Sequence, residues 1–251
     1  MRILVVSDIH GNLHALRAVL NAARGWDEVI VLGDLVDYGP HPAEVIDSVR
    51  ELGAKVVRGN HDHAVAYGVD CRCGEEVRWL SVWFRENVTL KLVSRNDIDY
   101  LRKLPLMEEL GLGSSRAYAV HGSPRNPLYG YLYPWLNPDE ACSMLRRPSM
   151  RLRPSGDNRE CPKGLYLVGH THHQFYRIVY GAIVVNPGSV GQPRDGDPRA
   201  AFAIIDADRQ SIELYRVEYD FEKTIRDLEK LGVGEPYMAA LRYMLSTGRV
   251  Y

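Results

Sequence analysis

The sequence predicts an α/β protein of four layers, α-β-β-α: two mixed sheets inside, with helices on the outer faces. Three observations lead there. Strand and helix signals alternate through the first third of the chain. Strand signals dominate again from about residue 164. A length of 251 residues suffices for one well-buried core, so a single domain spanning 1–251 is expected.

Residues 2–6, RILVV, are a short apolar run of the kind that makes a buried strand. Residues 13–24 place Leu13, Leu16, Val19, Leu20 and Ala23 on one helical face. Residues 28–32 (EVIVL) give a second strand. A helix over 42–52 begins with Pro42, which suits a first turn. Residues 54–57 give a third strand. This βαβαβ order implies parallel strands joined by right-handed crossovers. Helices are then expected over 74–93 and 96–103, the latter capped by Asn96 or Asp97. Residues 106–110 and 116–120 flank GLGSS as a hairpin. The stretch 123–163 is rich in Pro, Tyr, Arg and Ser and holds one helix at about 138–146. It reads as an insertion serving either as a lid or as an oligomer contact, the latter implying a homodimer. Strands follow at 164–168, 174–180, 182–185, 200–206 and 210–217. Two helices broken by GVGEP fill 221–247.

Hydrophobic residues make up 45% of the chain and charged ones 25%, with a net charge of −1. That is the profile of a globular protein without a strongly basic surface, so nucleic acid is not an expected partner. No apolar run approaches the roughly 18 residues of a spanning helix, and the N-terminal one is too short for a signal core. No membrane partner is expected, and the expected location is cytoplasmic. Four cysteines are present: Cys71, Cys73, Cys142 and Cys161. None forms a CxxC pair. Cys71 and Cys73 read as a metal-binding CxC or, by the reading the spacing favours, as free thiols. A Cys142–Cys161 disulfide stays open.

Potential metal ligands fall just past predicted strands. Strand one runs into Asp8, His10 and Asn12; strand two into Gly33, Asp34 and Asp37. Strand three runs into Gly59, Asn60, His61 and Asp62. Two later strands end at His121-Gly122 and at Gly169-His170-Thr171-His172. Ligands of open α/β sheets bind at this end of the strands. Carboxylate, imidazole and amide without thiolate suit Mn, Fe, Zn, Ni or Co. The donors are too many for one tetrahedral ion. Two ions sharing a carboxylate, about 3.5–4 Å apart, fit them better and can clamp a phosphoryl group.

Together, D-x-H, G-D, G-N-H-D, H-G and G-H-T-H resemble the signature of the calcineurin-like metallophosphoesterase superfamily, over residues 3–188. The layout is most similar to its small, stand-alone prokaryotic phosphodiesterase branch, as is NPGSVGQPRDGDPRAAFAIID at 186–206. The resemblance implies the α-β-β-α sandwich and two divalent transition-metal ions: manganese, iron, nickel or zinc. It implies that Asp8, His10 and His172 hold one ion, that Asn60, His121 and His170 hold the other, and that Asp34 bridges them. It implies hydrolysis of a phosphodiester or phosphomonoester by a hydroxide held between the ions. His61 would be the general acid. GDLVDYG resembles the GDYVDRG of the family's protein phosphatases, which makes Asp37 the residue that orients His61.

The chain departs from those phosphatases in carrying Tyr38 where they carry Arg. Losing that guanidinium argues against phosphoproteins and leaves a small or nucleotide-like phosphate ester as the expected substrate, with diesters favoured. Asn12 and Arg194 are candidate substrate contacts, although Arg194 also reads as a solvated loop residue. Three tyrosines and a tryptophan in SPRNPLYGYLYPWLNP could stack on a nucleobase or form an apolar lid. His173 inherits no role and is expected to stay off the ions. Two rival readings are a non-catalytic interaction module on this fold and a nuclease. The first would be marked by degraded ligands, yet every ligand position and His61 are present. The second would want a basic groove, and none is visible.

Overall fold

In the computed structural model, which describes residues 1–112, 115–147 and 161–251, strand β1 (Arg2–Val6) is buried on both faces. Leu4 and Val6 pack outward against helices, while Ile3 and Val5 pack inward against the second sheet. Alternating side chains point to opposite faces of a strand, so an unbroken apolar run places a strand between two layers.

The first sheet has the order β10-β9-β1-β2-β3. Strands β1, β2 (Glu28–Val31) and β3 (Lys55–Val56) are parallel, linked by helices α1 (Leu13–Ala22) and α2 (Pro42–Glu51). Strand β9 (Ala200–Asp206) pairs antiparallel with β1 and with β10 (Ser211–Val217), making the sheet mixed. The second sheet, β4-β5-β6-β8-β7, is also mixed. Its strands are β4 (Met107–Leu112), β5 (Ser115–Val120), β6 (Gly164–Val168), β7 (Gln174–Val179) and β8 (Ala182–Pro187). The two sheets share a core that includes Ile30, Leu32, Leu110, Leu167, Val185 and Ile205. Helix α7 (Pro138–Leu145) covers the far face of the second sheet through Ala141, Cys142 and Leu145. Helices α8 (Phe221–Lys230) and α9 (Tyr237–Thr247) pack with α4 (Glu75–Phe84) in a separate apolar cluster. The predicted four-layer arrangement is therefore observed.

Two local expectations are corrected. The helix expected over 74–93 is α4, then a π-helical turn (Arg85–Thr89), then a short α5 (Leu90–Leu92). Helix α6 (Arg95–Lys103) is capped by Ser94, with Asp97 closing a reciprocal capping box. Asn60 begins a helix, α3 (Asn60–Tyr67). The tip of the GLGSS turn and residues 148–160 of the expected insertion lie outside the described residues.

Candidate active site

The loops after β1, β2, β3, β5 and β6 meet on one rim and are tied together through their backbones. The Asp8 amide donates to the Gly33 carbonyl (3.0 Å), that of His10 to Asp34 (2.9 Å) and that of Gly169 to His121 (2.8 Å). Asp62 ties α3 to the β2 loop. Its carboxylate accepts from the amides of Asp34 (2.8 Å), Leu35 (2.8 Å) and Gly59 (2.9 Å). Asp8, His10, Asp34, Asp37, His170 and His172 all have φ between 50° and 69°. That left-handed backbone costs L-residues roughly 1–2 kcal/mol each, though Asp and His tolerate it better than most. Strain of this kind collects where function holds it in place.

All seven expected ligands come together in two buried groups that share Asp34. In one, donor atoms of Asp8, His10, Asp34 and His172 lie within 4.8 Å of one another; in the other, those of Asp34, His121 and His170 do. Asn60 Oδ1 lies 2.9 Å from His121 Nε2 and completes the second.

The ring orientations are informative. His10 Nδ1–H donates to the Val36 carbonyl (2.9 Å), His121 Nδ1–H to Leu32 (2.7 Å) and His172 Nδ1–H to Gln192 (2.5 Å). A carbonyl accepts only, so each ring carries its proton at Nδ1 and turns the Nε2 lone pair into the site. Yet His10 Nε2 faces His172 Nε2 at 3.3 Å, and His121 Nε2 faces Asn60 Oδ1 at 2.9 Å and Asp34 Oδ2 at 3.3 Å. The Asn60 amide nitrogen donates to the Cys71 carbonyl (2.9 Å), which fixes Oδ1 toward the site. Asp8 Oδ1 and Asp34 Oδ2 are buried without hydrogen-bond partners, and His170 turns its Nδ1 toward His121 Nε2 at 3.2 Å. Lone pairs thus converge on lone pairs in a buried cage, and cations are the species that reconcile them. The residues fit a pair of metal ions. Burial opposes the charged form of His121, but Asp34 and Asp8 outweigh it and push it up to about 9. Burial, aided by Asp34, raises Asp8 to about 6.

His61 stands beside this cage. Its Nδ1–H donates to Asp37 Oδ2 (2.8 Å), and its Nε2 lies 4.0 Å from Asp34 Oδ2. Asp37 Oδ2 also accepts from Arg85 Nε (3.0 Å) and Nη2 (2.7 Å). Burial opposes protonation of His61, but Asp34, Cys71 and Asp37 together raise its pKa. Arg85 opens the π-helical turn, and sequence periodicity gave no sign of it. Asp62 stands in the G-N-H-D motif, but its role needed the backbone geometry.

Asn12 requires correction. It caps α1 through Ala15 N–H (3.1 Å), accepts from Thr224 Oγ1 (3.0 Å) and donates to the Gly191 carbonyl (3.1 Å) and Tyr219 (3.0 Å). An amide side chain has two donors and two acceptor positions, so none remains for a substrate. Arg194 is half-buried; its side chain bonds Gln192 Oε1 and its charge bears on His10, His172 and Asp8. His173 turns away from the cage and donates Nδ1–H to the Thr171 carbonyl (2.7 Å). From His170 a row of rings leads outward: Tyr131 at 4.0 Å, then Tyr133 at 5.5 Å, then Trp135 at 4.6 Å, centroid to centroid. Trp135 is 65% exposed. All four cysteines are free thiols, so Cys142 and Cys161 are not joined.

The model of the calcineurin-like phosphoesterase superfamily domain matches residues 1–210. An uncharacterized protein of Methanocaldococcus jannaschii, MJ0912, is 32% identical over 246 residues, covering 91% of this chain and 92% of that protein. The crystal structure of a metallophosphoesterase from Sphaerobacter thermophilus superposes with a TM-score of 0.75 at 33% identity, over 99% of both chains. A symmetrical bis(5′-nucleosyl)-tetraphosphatase of Colwellia psychrerythraea is 31% identical over 135 residues, covering 51% of this chain and 46% of that enzyme. With its two clusters of donors and this match over most of its length, the chain belongs to the calcineurin-like phosphoesterase superfamily.

Proposed function

We propose that this phosphoesterase is a two-metal phosphodiesterase of the cytoplasm, acting on a small, nucleotide-like ester. The observation that carries the reading is the set of opposed lone pairs in the cage. Asp8, His10 and His172 would hold one ion, Asn60, His121 and His170 the other, and Asp34 would bridge. Manganese, iron, nickel and zinc all suit this donor set. Bound there, two divalent ions supply Lewis acidity toward the phosphoryl oxygens and a water made acidic enough to act as nucleophile.

The chain's own groups do the rest. Asp37 holds His61 by Nδ1, leaving Nε2 to deliver a proton to the leaving oxygen. Arg85 neutralises Asp37 from behind, so the carboxylate orients His61 without carrying an unpaired buried charge. Arg194 supplies positive charge at the rim for a non-bridging oxygen. With Arg85 turned inward, this modest positive charge suits a monoanionic diester better than a dianionic monoester. The row from Tyr131 to Trp135 offers flat faces to a nucleobase. The Colwellia relative, by its name, acts on bis(5′-nucleosyl) tetraphosphates, which supports a nucleotide-like substrate. The insertion that carries the aromatic row would then serve as a lid within the single domain. Exposed Tyr176 and Ile178 along the β7 edge support a homodimer.

The test is metal-stripped protein reloaded in turn with Mn, Ni, Zn or Mg and assayed on bis(p-nitrophenyl) phosphate, p-nitrophenyl phosphate and cyclic nucleotides. Hydrolysis with at least one metal, faster on the diester and abolished by Asp34→Asn, is expected. No hydrolysis with any metal, or an undiminished rate in Asp34→Asn, rules the function out. A faster monoester rate reverses the diester assignment alone.

A further inference from the structure

We propose that Cys71 and Cys73 form a reversible redox site, closing to an intramolecular disulfide that slows the hydrolysis beside it. Neither sulfur is among the groups assigned above to hold metal, contact substrate or carry the transferred proton. Both are buried, and their sulfurs lie 2.7 Å apart. Two thiolates on one tetrahedral ion, each about 2.3 Å from it, would stand roughly 3.8 Å apart. The observed spacing is nearer the roughly 2.05 Å of a disulfide, so the pair is set to bond rather than to chelate.

The backbone prepares this contact. Arg72, between the cysteines, has φ 50°. That left-handed step curls the segment so that both sulfurs meet, where an extended one would hold them apart. Asp70 Oδ1 secures the curl by accepting the Arg72 amide (2.7 Å), and the Arg72 guanidinium lies 5.2 Å from the Tyr129 ring centre. A left-handed arginine is held in place by its surroundings, not by its own preference.

The pair also has two routes to the active site. Cys71 Sγ lies 3.3 Å from Ser81 Oγ, which accepts from Arg85 Nη2 (2.9 Å) and lies 3.4 Å from His61 Nδ1. Separately, the Cys71 carbonyl orients the Asn60 amide. Closing the S–S bond removes the Cys71 thiol from Ser81 and shifts the carbonyl that aims Asn60. Burial restricts the oxidant to a small molecule, such as a peroxide. One sulfur attacks the O–O bond, giving a sulfenic acid and one water. The other sulfur displaces the sulfenic oxygen, giving the disulfide and a second water. Both thiol protons end in water, and the peroxide takes the two electrons. A dithiol reductant reverses the step.

The change in rate rests on the proposed hydrolysis, but closure of the bond does not, and the two are read separately. Trypsin cuts after Arg58, Arg72 and Arg78, so peptides 59–72 and 73–78 separate in the reduced chain and stay joined in the oxidised one. Protein loaded with redox-inert zinc is treated with hydrogen peroxide while folded, desalted, digested without reductant and weighed by mass spectrometry. The joined peptide is expected, with separation restored by dithiothreitol. On bis(p-nitrophenyl) phosphate, turnover should fall about tenfold, less than the 10²–10⁴ for losing a general acid outright, and recover on reduction. Cys73→Ser should keep its turnover through peroxide. Separated peptides after oxidation overturn the site, whether or not the protein hydrolyses anything. Joined peptides with unchanged turnover, or an equal loss in Cys73→Ser, overturn its control of the reaction.

Discussion

His61 and the cage histidines are oriented by partners that sit outside the cage. Backbone carbonyls hold the protons of His10, His121 and His172 at Nδ1, and Asp37 does the same for His61. Such outer contacts fix both the tautomer and the direction of a metal-binding ring. His61→Ala should lower kcat by roughly 10²–10⁴ while bound metal, measured by elemental analysis, stays at the wild-type level. The loss should shrink for esters with good leaving groups, which need little protonation. A loss independent of the leaving group would remove His61 from the acid role. The identity of these residues was legible because D-x-H, G-N-H-D and G-H-T-H bring rare donor types together at strand ends. Their strained φ values and tautomers were not, since both depend on carbonyls contributed by distant loops. Asn12 shows the same limit. A polar residue beside a ligand reads as a substrate contact until Thr224 and Tyr219, more than 200 residues later in the chain, are seen to occupy it.

Helix α3 delivers two site residues from its first turn, and its start depends on close approach to the β2 loop. A Cβ at Gly59 would lie 2.1 Å from Asp34 Oδ1 and 2.3 Å from the Asp34 amide nitrogen. Gly59→Ala should therefore push Asn60 and His61 away from the cage. Loss of metal binding and turnover is expected with near-native circular dichroism; wild-type metal content would show that the loop yields without consequence. Helices α1 and α8 are joined at the surface by His14 Nε2 to Asp227 Oδ2 (2.8 Å). Lys230 and His14 hold Asp227 down at about 2, below its ordinary 3.8. A carboxylate depressed on folding adds stability above its unfolded pKa and loses it as pH falls toward the folded value. Asp227→Asn should thus narrow its stability deficit between about pH 4 and pH 2 in urea titrations. A deficit unchanged over that window would assign the link to packing. Among the elements, α1, α2 and α7 were legible from periodicity and capping. The π-helical turn was not, because a helical period continues across it; Arg85, which reaches Asp37, is its first residue.

At the scale of the molecule, the alternation of helix and strand foretold the parallel β1-β2-β3 core, and the later strands foretold a second sheet. The order of strands was not legible. Strand β9 lies beside β1 although nearly 200 residues separate them, a pairing set by the shared inter-sheet core rather than by local pattern. That pairing matters to the site: it seats the loop after β8, where Gly191 N–H donates to the Asp8 carbonyl (3.0 Å) and Val190 N–H to Ser7 (2.9 Å). Both sheets therefore contribute to one cage, and the proposed function requires that this cage hold two ions. Crystals of manganese-loaded protein, measured at the manganese absorption edge, test it most directly. Two anomalous peaks about 3.5–4 Å apart are expected, with Asp34 reaching both, Asp8, His10 and His172 around one, and Asn60, His121 and His170 around the other. A single peak, or a peak within ligating distance of His173, would contradict it.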